Sequence, residues 1–211
     1  LKKNKRFYSS FFSKTISDNE ALEAVKKITN SQKIDFQPLS STENNLRDTV
    51  GIIIAASGNE KRWAISNYLK ILKFLKEKNY KKFLIISGLD QSKDENLIKE
   101  KFIQNTEIIF TSDKKISDVI PYLKKCKFCI GNDTGFSHLS VNLDVETLVI
   151  QGDCPPQSYS KLLKHVDIES NVNRSPTSIH TIKIEKVLDE LSKLLNRRGG
   201  RVVEGARLES V

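Results

Sequence analysis

The chain has 211 residues, which is enough for one well-buried domain, and it carries a formal net charge of +9. Hydrophobic residues make up 38% of the chain and charged residues 29%, a balance typical of a soluble globular protein. No apolar run reaches the roughly 20 residues that a membrane-spanning helix needs, so we predict a protein that does not cross a membrane.

The positive charge lies mostly at the two ends. Residues 1–14 carry five cations and no anion, and residues 197–211 carry four arginines against two glutamates, which leaves the middle near +2. A nucleic-acid-binding protein would instead show a basic stripe across its folded surface, so we expect no nucleic-acid partner.

The basic N-terminal segment also contains four aromatic residues within residues 7–12. Such a segment could contact the anionic cytoplasmic face of the inner membrane. A lysine-rich segment exposed to solvent is the alternative, and the general behaviour of charge runs favours it.

The chain has 3 cysteines, too few and too unevenly placed for a disulfide framework, which predicts a cytoplasmic protein. Two of them, Cys126 and Cys129, form a C-x-x-C pattern. The intervening residues read as a buried strand, on which side chains three apart face opposite sides of the sheet. We therefore expect the two to be core residues that share neither a metal nor a disulfide.

Residues 1–48 show one helical pattern, at 19–29, and are interpreted as a remnant of an N-terminal domain plus a linker. From residue 49, short apolar runs alternate with amphipathic helical stretches, which predicts a parallel α/β sheet. The predicted strands are 49–56, 82–87, 107–111, 127–131 and 146–152. The predicted helices are 64–79, 94–104, 118–125, 134–143 and 182–196. Residues 197–211 hold arginines where the body prefers lysine, so we interpret them as a non-native or disordered tail.

In an open parallel sheet, ligands bind beyond the carboxyl ends of the strands. The loop after the fourth predicted strand, 131–138, turns a buried strand directly into a helix. Thr134 and Gly135 would there offer backbone N–H groups and the positive end of the helix dipole, which suits a diphosphate. Asp133 is either an N-cap or a ligand-binding residue, and spacing alone leaves both open. His138, taken alone, is more often a structural histidine than a site residue.

The loop after the first strand contains a second candidate group. Lys61 could reach a phosphate as a compact point charge, as could Arg62, while Trp63 could anchor the loop from beneath. The alternative is a solvated helix start with an aromatic staple.

Two motifs in this order resemble glycosyltransferase family 9, which includes the heptosyltransferases of lipopolysaccharide core assembly. KRW at 61–63 is similar to the family's K-x-W-P element, and GNDTGFSHL at 131–139 is similar to its G-N-D-[ST]-G-x-x-H-L element. The similarity covers residues 49–196. Three features depart from the family pattern. Ala64 stands in place of the proline, and the segment 152–155 stands in place of G-P-T-D-P. Glu95 lies seven residues after Gly88, farther than the pattern leads us to expect.

The resemblance implies a GT-B enzyme whose C-terminal, Rossmann-like half this chain supplies. By position, the resemblance gives Lys61 a contact with the donor phosphates, Ser57 a nearby hydroxyl contact and Glu95 the ribose. Asp133, Thr134 and Gly135 would hold the sugar and diphosphate, and His138 would support that loop or the sugar. Lys61 and Asp133 are the expected catalytic residues.

The family implies an inverting transfer, here of a heptose from ADP-heptose to a lipid A-core acceptor, without a metal or other cofactor. Its general base is an Asp of the N-terminal domain, so we expect this chain alone to bind the nucleotide-sugar donor but to transfer little sugar. A noncatalytic nucleotide-binding fragment or remnant of such an enzyme is the alternative.

Overall fold

The computed structural model of the chain describes residues 48–102 and 104–206, with side chains as far as residue 197. The helix predicted at 19–29 and the basic N-terminal segment lie outside these residues. No helix in the described part of the chain is both long and apolar enough to span a bilayer.

Six parallel strands form one sheet in the order β3-β2-β1-β4-β5-β6. The strands are β1 (Thr49–Ile53), β2 (Lys82–Ile86), β3 (Glu107–Phe110), β4 (Cys126–Asn132), β5 (Thr147–Gln151) and β6 (Leu163–Asp167). The chain runs from the sheet centre to one edge and then returns to build the other half, which is the doubly wound order of Rossmann-like folds. The predicted α/β fold with a parallel sheet is confirmed.

Helices follow the strands as the alternating pattern predicts. They are α1 (Ile65–Glu77), α2 (Ser92–Phe102), α3 (Ile116–Lys124), α4 (Gly135–Asn142) and α5 (Ile184–Ala206), with two 3-10 helices at Asn59–Lys61 and Pro176–Thr181. The backbone of α5 is helical as far as Ala206, so the predicted helix end at residue 196 is wrong. The non-native origin of residues 197–211 stays a prediction.

The sheet is buried on both faces. One apolar cluster packs α1 and α5 against alternate residues of the central strands, and a second cluster packs α3 against the other face. Strands covered on both sides need nearly continuous apolar runs, which is why β1, β2 and β5 were readable from the sequence.

Cys126 and Cys129 both belong to the second cluster, so they lie on the same face of β4, and the prediction of opposite faces is wrong. The register explains this: Thr49 pairs with Cys126, but Val50 pairs with Phe128. Lys127 is therefore the extra residue of a β-bulge, which restores both cysteines to one side. They remain fully buried core residues, as expected.

Strand β6 was not predicted. Its sequence LKHVD buries only Leu163 and Val166 fully, because the strand lies at the edge of the sheet and leaves its other side chains partly accessible. The resulting pattern has neither an apolar run nor a regular alternation.

Gly131 allows β4 to approach β1 closely. A Cβ atom at this position would lie 2.1 Å from the backbone oxygen of Ile53, whereas one at Gly135 would meet nothing within 4 Å. The first glycine is therefore required by packing, and the second leaves open space at the start of α4.

We expect Gly131→Ala to lower the free energy of unfolding by about 3 kcal/mol, because the new methyl group overpacks against backbone that cannot rotate away. Gly135→Ala is the matched control and should change it by less than about 1 kcal/mol. Urea unfolding of the two variants measures this difference. Equal stability of the two would show that β1 and β4 can separate at little cost.

Candidate functional site

A buried amide joins the loop after β1 to the end of β4. Asn132 is 0% exposed. Its Nδ2 donates to the carbonyl oxygen of Ile54 at 2.8 Å, and its Oδ1 accepts from the backbone N–H of Trp63 at 3.2 Å and from the Tyr68 hydroxyl at 2.8 Å. Ser137 in α4 donates its hydroxyl to the Asn132 carbonyl oxygen at 2.7 Å. The two loops that carry the sequence motifs are thus fixed to each other.

Trp63 lies beneath the first of these loops. Its indole is 2% exposed and packs edge-on against Tyr68, with 5.5 Å between ring centroids. The indole N–H donates to the carbonyl oxygen of Ile182 at 2.9 Å, the residue that directly follows the second 3-10 helix. These contacts anchor the segment that presents Lys61.

Lys61 forms an ion pair with Asp153, the second residue after β5. The distance between Lys61 Nζ and Asp153 Oδ2 is 2.6 Å. The hydrogen bond to Asp153 raises the pKa of Lys61. Burial alone would raise the pKa of Asp153, but hydrogen bonds from Lys61 and Cys154 outweigh it and lower the pKa. Asp153 had no predicted role, because it stands in the segment that departs from the family pattern.

Asp133 does not cap α4. Thr134 is the N-cap residue, and it makes no side-chain capping bond. The Asp133 carboxylate instead lies 3.1 Å from His138 Nε2 through Oδ1, and its Oδ2 accepts from Gln151 Nε2 at 3.3 Å. The N-cap alternative is therefore wrong, and the carboxylate faces the Lys61 side chain across a cavity.

This cavity has a free volume of about 10 Å³, room for about one water molecule. It is lined by Lys61, Asp133, Ile150, Gly152, Asp153, Pro176 and Ile179. It lies where β1, β4 and β5 end, which is the position expected for ligands in this type of sheet.

The start of α4 borders the same region. The first turn of a helix leaves backbone N–H groups without helical partners, and Gly135 is exposed with no side chain to shield them. The hydroxyl oxygen of Thr134 is buried and has no hydrogen-bond partner among the described residues.

Two predicted site residues lie apart from the cavity. Ser57 is exposed on the loop after β1. Glu95 is only 4% exposed and accepts a hydrogen bond from the Ser87 hydroxyl at the end of β2, with Lys99 Nζ 4.0 Å from its other oxygen. The structure brings Lys61 and Asp133 together but not these two, whose binding roles stay predictions.

Asp133, Asp153 and Cys154 are close enough to share a cation, since their potential ligand atoms lie within 4.8 Å of one another. Burial, together with the charges of Asp153 and Asp133, raises the pKa of the Cys154 thiol to about 12. A protonated thiol is a poor metal ligand. The Lys61 ammonium already provides a positive charge to this group.

The family model of glycosyltransferase family 9 (heptosyltransferase) matches residues 10–188. No curated protein matches the chain significantly.

Several solved structures share its fold. One is the E. coli heptosyltransferase WaaC with ADP, at 17% identity and a TM-score of 0.59, covering 72% of this chain and 45% of that one. Another is the E. coli ADP-heptose lps heptosyltransferase II, at 19% identity and a TM-score of 0.62, covering 75% and 49%. A glycosyl transferase family 9 protein from Veillonella parvula matches at 14% identity and a TM-score of 0.60, covering 86% and 53%. The chain thus spans about half the length of these structures.

We expect Cys154 to alkylate slowly in the native protein at pH 8, because its raised pKa leaves little of the reactive thiolate. The rate should be at least about 100-fold below that of the same chain unfolded in urea. Iodoacetamide labelling followed by mass spectrometry measures it, with Cys154→Ser identifying the site. A rapidly labelled native thiol that disappears in Cys154→Ser would contradict the expectation.

Proposed function

We propose that this chain, which belongs to glycosyltransferase family 9, supplies the donor-binding half of an inverting glycosyltransferase. The enzyme transfers a heptose from ADP-heptose to a lipopolysaccharide core acceptor. The observation that carries the proposal is the convergence of Lys61 and Asp133 on one cavity at the carboxyl ends of the strands, with α4 beginning two residues after Asp133.

The cavity offers two sources of positive potential for a diphosphate. One is the Lys61 ammonium, and the other is the N-terminal end of α4, where Gly135 lets a phosphate approach the backbone closely. To reach a phosphate, Lys61 exchanges its bond with Asp153 for one with the ligand. The pair is 38% and 23% exposed, so it is worth at most about 1 kcal/mol and is readily exchanged.

In the reaction, a hydroxyl of the acceptor attacks the anomeric carbon while the bond to the nucleoside diphosphate breaks. Negative charge grows on the departing phosphate, and Lys61 and the α4 amides stabilise it. Asp133 orients the sugar. The proton of the attacking hydroxyl goes to a base on the other domain of a GT-B enzyme, so we infer that this chain alone binds the donor and transfers little sugar.

The donor and acceptor are inferred from relatives. E. coli WaaC has been solved with ADP and with ADP-2-deoxy-2-fluoro heptose, which supports an adenine nucleotide with heptose as the donor class. A lipid A-core acceptor would place the enzyme at the cytoplasmic face of the inner membrane.

Calorimetric titration with ADP, UDP and ADP-heptose tests donor binding. We expect ADP and ADP-heptose to bind more tightly than UDP, and Lys61→Ala to weaken binding about 10-fold or more through loss of a charge-assisted bond. Asp153→Ala should tighten binding several-fold, because it releases Lys61 and removes a negative charge beside the phosphates.

Lys73→Ala is the matched control, since this lysine is exposed on α1 away from the cavity. Unchanged affinity in Lys61→Ala would refute the assigned phosphate contact. Adenine-nucleotide binding without transfer, even after the N-terminal domain of a family member is supplied, would favour the noncatalytic fragment.

We propose that donor binding needs no metal ion, because Lys61 and α4 supply the positive potential. Treatment with EDTA and subsequent addition of Mg²⁺ should each change the dissociation constant for ADP-heptose by less than about two-fold, within the scatter expected for a site without a metal. The same calorimetric titration measures this. A large loss of affinity in EDTA that Asp153→Ala abolishes would instead assign a metal to the Asp133, Asp153 and Cys154 group.

A further inference from the structure

Tyr159 lies on the loop between β5 and β6, outside both sequence motifs, and its hydroxyl contacts His138. The distance between Tyr159 Oη and His138 Nδ1 is 2.6 Å, and the two rings pack at 5.7 Å between centroids. On its other side, His138 Nε2 lies 3.1 Å from Asp133 Oδ1. The three side chains form a continuous hydrogen-bonded row that ends at the cavity.

The chemistry of the three groups fixes the direction of the bond to Asp133 and, when the imidazole is neutral, that of the bond to Tyr159. A carboxylate can only accept, so His138 donates to Asp133 from Nε2. In a neutral imidazole the other nitrogen is then an acceptor, and Nδ1 accepts from the tyrosine hydroxyl. Burial, with the charge of Asp133, raises the pKa of Tyr159 to about 12, so the hydroxyl keeps its proton at neutral pH.

The loop that carries Tyr159 is itself held in place. His165 on β6 contacts the carbonyl oxygen of Gln157 through Nε2 at 2.8 Å, two residues before Tyr159. The Cys154 carbonyl oxygen accepts from Arg174 at 2.7 Å, and that guanidinium also pairs with Asp167 at 2.5 Å. The tyrosine therefore presents its hydroxyl from an anchored segment.

We propose that Tyr159 is a positioning residue that holds the His138 ring in the orientation in which Nε2 donates to Asp133, and thereby fixes the Asp133 carboxylate toward the donor. The role of Asp133 rests on the proposed function, whereas the tautomer of His138 does not. The second oxygen of Asp133 is bonded to Gln151, so loss of the histidine contact would leave the carboxylate held on one side only.

Nitrogen-15 NMR of the histidine side chains in the 211-residue chain tests the tautomer directly. The wild-type protein should show His138 protonated at Nε2. In Tyr159→Phe, which removes one hydroxyl, the ring can turn away from Asp133, and His138 should then become a mixture of the two neutral tautomers. Tyr122→Phe, a half-buried tyrosine on α3, is the matched control and should leave the His138 signals unchanged.

A wild-type spectrum with His138 protonated at Nδ1 overturns the proposal without any variant. An unchanged Nε2–H signal in folded Tyr159→Phe overturns it as well. Thermal unfolding monitored by circular dichroism shows that each variant is folded.

A double-mutant cycle tests the link to the donor. Tyr159→Phe should weaken ADP-heptose binding about 3- to 10-fold, the range for one lost hydrogen bond. In a His138→Ala background the same substitution should cost less than about two-fold, because the residue it acts through is gone. An equal loss in both backgrounds would show that Tyr159 does not act through His138. If no nucleotide binds to the folded wild-type chain, the proposed function fails while the NMR result still stands.

Discussion

The buried side chain of Asn132 holds the two halves of the site in register. Its amide bonds to the backbone at Ile54 and Trp63 and to the hydroxyl of Tyr68, with no exposure to water. A buried carbonyl or N–H left without a hydrogen bond here would lower the free energy of unfolding by about 1–3 kcal/mol. These bonds therefore hold the loop after β1 in one position. Lys61 comes two residues before Trp63, so its backbone is held in place by the same bonds. Asp133 and α4 follow Asn132 directly in the chain.

The cavity that results contains more negative than positive side chains. Lys61 is balanced by Asp153, and Asp133 adds a second carboxylate whose bonds go to neutral or weakly basic partners. The backbone amides in the first turn of α4 are therefore a second source of positive potential beside the lysine. The weak, partly exposed ion pair keeps the Lys61 side chain ordered, and its low energy lets Lys61 exchange Asp153 for another partner.

The sequence predicted what depends on local pattern. Central strands such as β1 and β5 are apolar because they are covered on both faces, and the segment 131–138 has the composition of a strand turning into a helix. Strand β6 escaped prediction because an edge strand with partly accessible Lys164 and His165 lacks that pattern. The shared face of Cys126 and Cys129 depends on a bulge, which only the pairing with β1 specifies.

The parts of the site missed by the sequence have the same origin. Asp153 and Tyr159 lie on the long connection between β5 and β6, and their partners are 92 and 21 residues away in the chain. Asp133 had been weighed as an N-cap because spacing cannot show which way a carboxylate turns. The two motifs can be recognised from adjacent residues in the sequence. The contacts of Asp153 and Tyr159 form only when separate loops come together in the fold.

Trp63 is the single tryptophan of the chain, and it lies directly beside the loop that presents Lys61. Its indole is enclosed by Tyr68 and bonded to the backbone at Ile182. The tryptophan emission of the whole protein therefore originates from this one place. The molecule carries an intrinsic optical reporter, and any rearrangement of the loop that presents Lys61 that disturbs the indole will be seen without a label.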